Sequence, residues 1–389
     1  MPLRRVAVVG CLFVGSIVSA QDAAPPASTT TAEASAPPVS VILKLKDDKP
    51  LHFGEKIDLV LQYSASLPGY VRVEGSNKLS GYHYPQLDCQ PQEHIINRRR
   101  ISGQVNAGAF YYSKPGCPTG WGGSRSSGCA DCGRERELGR QPISVPFNLN
   151  NEFQFLEPGR YVCIEHTADV FTKAKSPDEE RTAIPLDSNP LTLDMPDDPT
   201  WSADVLSKAL HELNATKCDG SIDAQSRCAE ITNTIRFLDT EDSLGALVTL
   251  YHGTLNKQWA YPIWDGILQS RHARLRLDLL EKRMQDPDFA VTSVFLDTLV
   301  AFAIQRDTPE AFDGDTSAKD GSPYYTTSLS LLRGYLKLVG DSLPNKQGEA
   351  RRVSLETYKG YAKSLFCEDD PLIAPAEVQR VLSAANATP

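Results

Sequence analysis

The sequence predicts a multidomain β + α chain, with an N-terminal antiparallel β-sandwich followed by an all-α domain. Three observations predict it. From Ser40 onward apolar and polar positions alternate with period two, the mark of half-buried strands. Beyond "DDPTW" (Asp197–Trp201) the apolar positions recur at three-and-four spacing, the mark of amphipathic helices. A length of 389 residues suits two or three domains.

The chain opens with a targeting pattern. "MPLRR" supplies a positive n-region and "VAVVGCLFVGSIVSA" an apolar run of signal-peptide length. Small residues at Val18-Ser19-Ala20 predict cleavage before Gln21, making residues 1–20 the signal peptide. Val8-Val9-Gly10-Cys11 offers a competing lipobox with a lipid anchor at Cys11. That cleavage would leave an h-region of about four apolar residues, short of the roughly 7–15 normally used. Residues 21–39, rich in Ala, Pro and Thr, have almost no bulky apolar side chains and are expected to form a disordered linker. No later run approaches the roughly 18 apolar residues of a membrane span, so an exported chain, periplasmic or extracellular, is expected.

The sandwich is placed at 40–197. "VSVILKLK" alternates, as do "KIDLVLQYS", "GYVRVEG", "ISVPFNL", "GRYVCIEHT" and "PLTLDM", with "LPG", "EGSN" and "EPG" as turns between them. A Gly/Cys-rich insertion, 112–140, interrupts the series. "LEPGRYVC" (Leu156–Cys163) is similar to the tyrosine corner of immunoglobulin-like domains, in which a Tyr sits two residues before a Cys. Pro158-Gly159 would turn the chain, and the Tyr161 hydroxyl would bond back to the corner backbone. An antibody-type core is not expected: "DLVLQY" carries no Cys and no Trp precedes Trp121.

The helical domain is placed at 201–386. Its helices are read in "SADVLSKALHELNAT", "SIDAQSRCAEITNTIRFLDT", "TEDSLGALVTLYHG", "NKQWAYPIWDGILQSR", two within His272–Gln305, "TTSLSLLRGYLKLV", "GEARRVSLETYKGYAKSLF" and "APAEVQRVLSAA". Thr240 followed by Glu241 and Asp242 predicts a helix start. "IRFLDTEDSLGALVTLY" resembles one unit of a HEAT-type helical repeat, and "EKRMQDPDFAVTSVFLDTLV" repeats the scheme without a strict period. Taken together, leader, tether, sandwich and helical half resemble exported bacterial proteins that combine an immunoglobulin-like β-sandwich with a HEAT-like helical domain. The resemblance implies architecture and compartment, and brings no catalytic residue and no substrate.

The cysteines narrow the chemistry. Leaving aside Cys11, eight remain, an even number that favours disulfides in an exported chain. Cys218 and Cys228 bracket a short loop between two helices and form the simplest pair. Cys89, Cys117, Cys129 and Cys132 are read as structural disulfide cysteines that staple the insertion. Cys163 and Cys367 are left as free thiols unless a bridge joins the two halves. In "GCPTGWGGSRSSGCADCGRERELG" (Gly116–Gly139) there is one CxxC, whereas structural zinc sites use two close pairs, so no metal is expected even with Cys89 or His94 as a fourth ligand. A redox CxxC opens a helix after a strand, but Cys129-Ala130-Asp131-Cys132 follows "GGSRSSG" and holds an acidic residue between the thiols. Trp121, in mid-loop, is a candidate binding anchor, and Tyr82, His83 and Tyr84 in "SGYHYPQ" are candidates for a carbohydrate or peptide face.

Other signatures fail on spacing. "HELNA" lacks the second His of a zinc helix, and "DGDTSAKDG" lacks the Gly and Glu of a calcium loop. There is no G-x-S-x-G. A net charge of −9 argues against a nucleic-acid partner. The expectation is therefore an exported, non-catalytic interaction or scaffold protein of the bacterial envelope, without cofactor, binding a protein or glycan partner. Two alternatives are an envelope enzyme or thiol-redox factor using Cys129 and Cys132, and a lipid-anchored envelope structural protein.

Overall fold

The computed structural model describes residues 38–73, 86–97, 135–173, 181–251, 258–307, 323–364 and 373–387. Antiparallel sheets occupy the N-terminal half and helices the C-terminal half, and Pro38–Pro389 form one compact unit.

The described strands are β1 (Val39–Leu45), β2 (Asp58–Ala65), β3 (Tyr70–Val73), β4 (Gln86–Gln90), β5 (Ile95–Asn97), β6 (Glu135–Glu137), β7 (Ile143–Asn148), β8 (Phe153–Phe155), β9 (Gly159–Thr172), β10 (Ala183–Asp187) and β11 (Leu191–Met195). One sheet runs β1-β2-β7. A second is built on the long β9, flanked by β11 and β10 on one side and by β4 and β3 on the other, with β6 beyond β3, and β5 pairs with β8 in a two-stranded ribbon. Alternation sets which side chains enter the core between the sheets. Val41 and Leu43 of β1, Leu59, Leu61 and Tyr63 of β2, and Tyr161 and Cys163 of β9 all belong to one buried cluster. Both edges of the three-stranded sheet are blunted. Pro146 interrupts the donors of β7, and the Asn189 side chain bonds both the N–H and the C=O of Leu43 on β1.

The corner at Leu156–Cys163 has the bond its sequence predicts: the Tyr161 hydroxyl donates to the Glu157 carbonyl at 2.6 Å. Cys163 corrects the free-thiol expectation. It is bonded to Cys89, which is thereby also removed from the ligands available to the insertion. The reason is strand pairing. β4, whose "QLDCQ" alternates over only five residues, lies beside β9 with Cys89 directly opposite Cys163 and 4.1 Å between their Cα atoms. The bridge therefore lies within one sheet. Cys218 and Cys228 are joined as expected.

The described helices are α1 (Pro199–Ala215), α2 (Ile222–Leu238), α3 (Glu241–Leu250), α4 (Tyr261–Gln269), α5 (Ala273–Met284), α6 (Ser293–Asp307), α7 (Pro323–Ser342), α8 (Gly348–Ser364) and α9 (Pro375–Ala387). Their starts follow their caps. Asp198 accepts from the Trp201 N–H, Ser221 from the Ala224 N–H, and Thr240 forms a reciprocal capping box with Ser243. Consecutive helices bury their apolar stripes on a single core running from Leu206 to Val381. Among the described residues, no helix is long and apolar enough to cross a membrane.

Candidate functional site

The sequence-predicted binding residues Tyr82, His83, Tyr84 and Trp121 lie outside the described residues, as do Cys11, Cys117, Cys129, Cys132 and Cys367. Within the described residues, two polar constellations stand out. One lies along the seam between the halves and the other inside the β half, next to β6, the strand at which the insertion returns.

The seam is centred on Asp239. It ends α2 in the left-handed region (φ 45°, ψ 41°), a conformation that Asp tolerates better than most residues. This bend turns its carboxylate toward the β half. One oxygen accepts from the Gln154 amide of β8 at 2.6 Å and from the Arg271 N–H at 3.3 Å; the other accepts from the Ser270 hydroxyl at 2.9 Å. The Asp239 carbonyl lies 2.9 Å from His272 Nε2 and can only accept, so His272 carries its proton there.

Two arginines cross the same seam. Arg271 donates to the Leu156 carbonyl at 2.9 Å and lies over the Phe53 ring at 4.7 Å. Arg236, buried on α2, reaches Asn151 Oδ1 at 2.6 Å and Asp265 at 3.2 Å, and its guanidinium sits over Phe237. Burial lowers the Arg236 pKa, with the Asp265 charge opposing. Opposite these groups runs the loop between β1 and β2. The ring of His52 stacks on that of Trp201, with 4.5 Å between centroids and 6° between planes, and Phe53 N–H donates to the Pro196 carbonyl. Gly54 has φ +85°, and a Cβ there would fall 2.8 Å from the Leu238 carbonyl oxygen, so both conformation and space require glycine. Asn150 fixes the loop from behind, accepting from the Ile57 N–H at 2.7 Å and donating to the Glu55 carbonyl at 3.0 Å. A pocket of about 20 Å³ remains between Phe53, Gln154, Leu238 and Asp239. That is room for a water, not for an organic substrate.

The second constellation lies on the inner face of β9. Its first inward residues, Tyr161 and Cys163, are apolar in role; the next are Glu165 and Thr167, both buried. A bulge then places one extra residue of β9 against β10, between the pairs Thr167–Leu186 and Val170–Ile184, and buries Asp169 as well. From β3, opposite Val170, the buried Arg72 reaches across the core to lie 5.0 Å from the Tyr63 ring centroid on the other sheet. Burial pushes the Tyr63 hydroxyl pKa up, while the Arg72 charge opposes it. β6, where the insertion returns, pairs with the strand that carries Arg72.

Glu165 shares the inward face of Tyr161 and Cys163 in β9, whereas alternation in "YVRV" would pair Val71 with Val73 and turn Arg72 outward, so the burial of Arg72 was not readable in the sequence. Nothing in the sequence identified Gln154 or Asp239 as a pair, since they are separated by 85 residues and belong to different periods.

Compared with known proteins, the chain matches no family model and no curated relative.

Proposed function

We propose that the chain is an exported interaction or scaffold protein of the bacterial envelope. In this reading an immunoglobulin-like sandwich, 40–197, is locked to a HEAT-like helical domain, 201–386, and together they carry the 116–139 insertion to a protein or glycan partner, with Trp121 as anchor. The observation that carries the reading is the seam. Asp239, Arg236 and Arg271 each bond across it, and Gly54 lets the backbones meet, so the two halves form a single body that would carry the insertion. A rigid mount preserves affinity by limiting the ordering entropy lost on binding. Two disulfides suit an oxidising compartment, in keeping with the leader read at residues 1–20.

The test uses the chain secreted from its own leader, cross-linked in the envelope and recovered. Trp121→Ala should keep the wild-type melting temperature and lose the cross-linked partner. Equal cross-linking by the variant would overturn the anchor role, and a large drop in melting temperature would place Trp121 in the core. Intact mass of the same material tests the leader: the expected chain starts at Gln21, and a lipid-modified Cys11 would contradict it.

A further inference from the structure

The bonds that Asp239, Arg236 and Arg271 make across the seam all end on one short piece of the β half. Gln154 lies in β8, Asn151 two residues before it, and Leu156 directly after it. Phe155 packs edge-on against Tyr161 at 4.8 Å, so β8 is seated in the sandwich while Gln154 meets the seam. In the ribbon, Ile96 of β5 stands opposite Gln154. Leu156 serves both sides at once. Its carbonyl accepts from Arg271, and its N–H donates at 2.8 Å to the carbonyl of His94, the residue before β5. His94 Nδ1 also lies 2.8 Å from the Glu157 carboxylate. Two hydrogen bonds therefore lead from the helical half to the start of β5, and the chain between Asn97 and Glu135 holds Trp121 and most of the insertion. The return is held differently. β6 pairs with β3, the Leu138 N–H donates to the Tyr70 carbonyl at 2.9 Å, and Glu137 pairs with Lys173 just past β9. All of these groups belong to the β half.

We propose that the β5–β8 ribbon is a lever through which the helical half positions the first root of the insertion. The bonds that load it are charge-assisted, the stronger kind, with Asp239 as acceptor and Arg236 and Arg271 as donors. An insertion strung between two separately held roots takes its spacing from both. Loosening the seam would free β5 while β6 stays in its ladder. By linkage, anything the insertion binds at one spacing of its roots favours the seam arrangement that gives that spacing, and the helical half responds in return. The lever rests on the proposed function only in taking Trp121 and its loop as the binding element.

The experiment follows hydrogen exchange of backbone amides in the full, disulfide-intact chain for wild type, Arg271→Ala, Gln154→Ala and Gly340→Ala. No partner enters it, so its failure is distinct from failure of the Trp121 cross-linking test. Both seam variants should speed exchange at residues 95–97 about tenfold, with 135–137 at the wild-type rate. Gly340→Ala is the control for ordinary destabilisation. A Cβ there would fall 3.1 Å from Val381 and 3.2 Å from Tyr358, on helices that contribute none of the seam bonds named above. Residues 95–97 should keep the wild-type rate in that variant. Wild-type exchange at 95–97 in both seam variants would overturn the lever. So would equal acceleration at 95–97 and 135–137, or acceleration of 95–97 by Gly340→Ala, since a general loss of stability produces either.

Discussion

The two halves differ in how they bury charge. In the β half, charge is set among charge: Arg72 lies within a core that also holds Glu165 and Asp169, with Tyr63 beneath the guanidinium. In the helical half, two buried cations meet backbone, while Arg236 at the seam meets the Asn151 and Asp265 side chains. Arg276 donates to the carbonyls of Ile267, Leu268 and Ser270 at the end of α4, and its guanidinium lies 3.6 Å from the Phe302 ring centroid. Lys346 donates to the carbonyls of Met284, Asp286 and Phe289 just past the end of α5, at 2.8–3.0 Å. The architecture accounts for the difference. A helix ends with four unsatisfied carbonyls and a partial negative charge, a ready-made cation site. An interior strand uses its carbonyls in the ladder, so a charge on its inner face must find a side chain. Burial lowers Arg276 to about 10 and Lys346 to about 8, so both remain cations at neutral pH.

The contrast can be broken by substitution. Lys346→Met should be the most damaging change, on the order of 3–5 kcal/mol by urea denaturation, because three buried carbonyls lose their donor and no side-chain change can remove them. Arg72→Met should be comparably harmful alone. Combining it with Glu165→Gln and Asp169→Asn should recover much of the loss, since an ion cluster can be neutralised as a set. Failure of the triple variant to recover would show that these charges answer to backbone after all.

Next in size come the disulfides. By the chain-entropy argument, opening Cys89–Cys163, which spans 74 residues, should lose about 4 kcal/mol, against about 3 kcal/mol for Cys218–Cys228, which spans 10. Paired Cys→Ala variants compared by denaturation give the ratio, and non-reducing peptide mapping should recover both bridges. The smallest effect, about 1–2 kcal/mol, is expected for Gly54→Ala at the seam, where the carbonyl of Leu238 blocks a Cβ.

Much of the architecture was readable because each half repeats a simple period. Val41, Leu43, Leu59 and Leu61 announce their strands by alternation, and Thr240 announces its helix by its cap. The short strands were not readable. β8 and β5 have three residues each, too few for a period, and the alternation of β4 spans only five residues between Pro85 and Pro91, which is why the partner of Cys163 was missed. The seam was invisible for another reason. Gln154, Asp239 and Arg271 are unremarkable polar residues in turns and short elements, and only tertiary packing brings them together. The proposed anchor, Trp121, was legible as an anomaly of composition, a large aromatic side chain among glycines.

That the seam joins the halves into one body is the claim on which the rest depends. Scanning calorimetry of the disulfide-intact chain tests it most directly. One transition, with calorimetric and van't Hoff enthalpies equal, is the predicted result. Two transitions, one for each half, would contradict it.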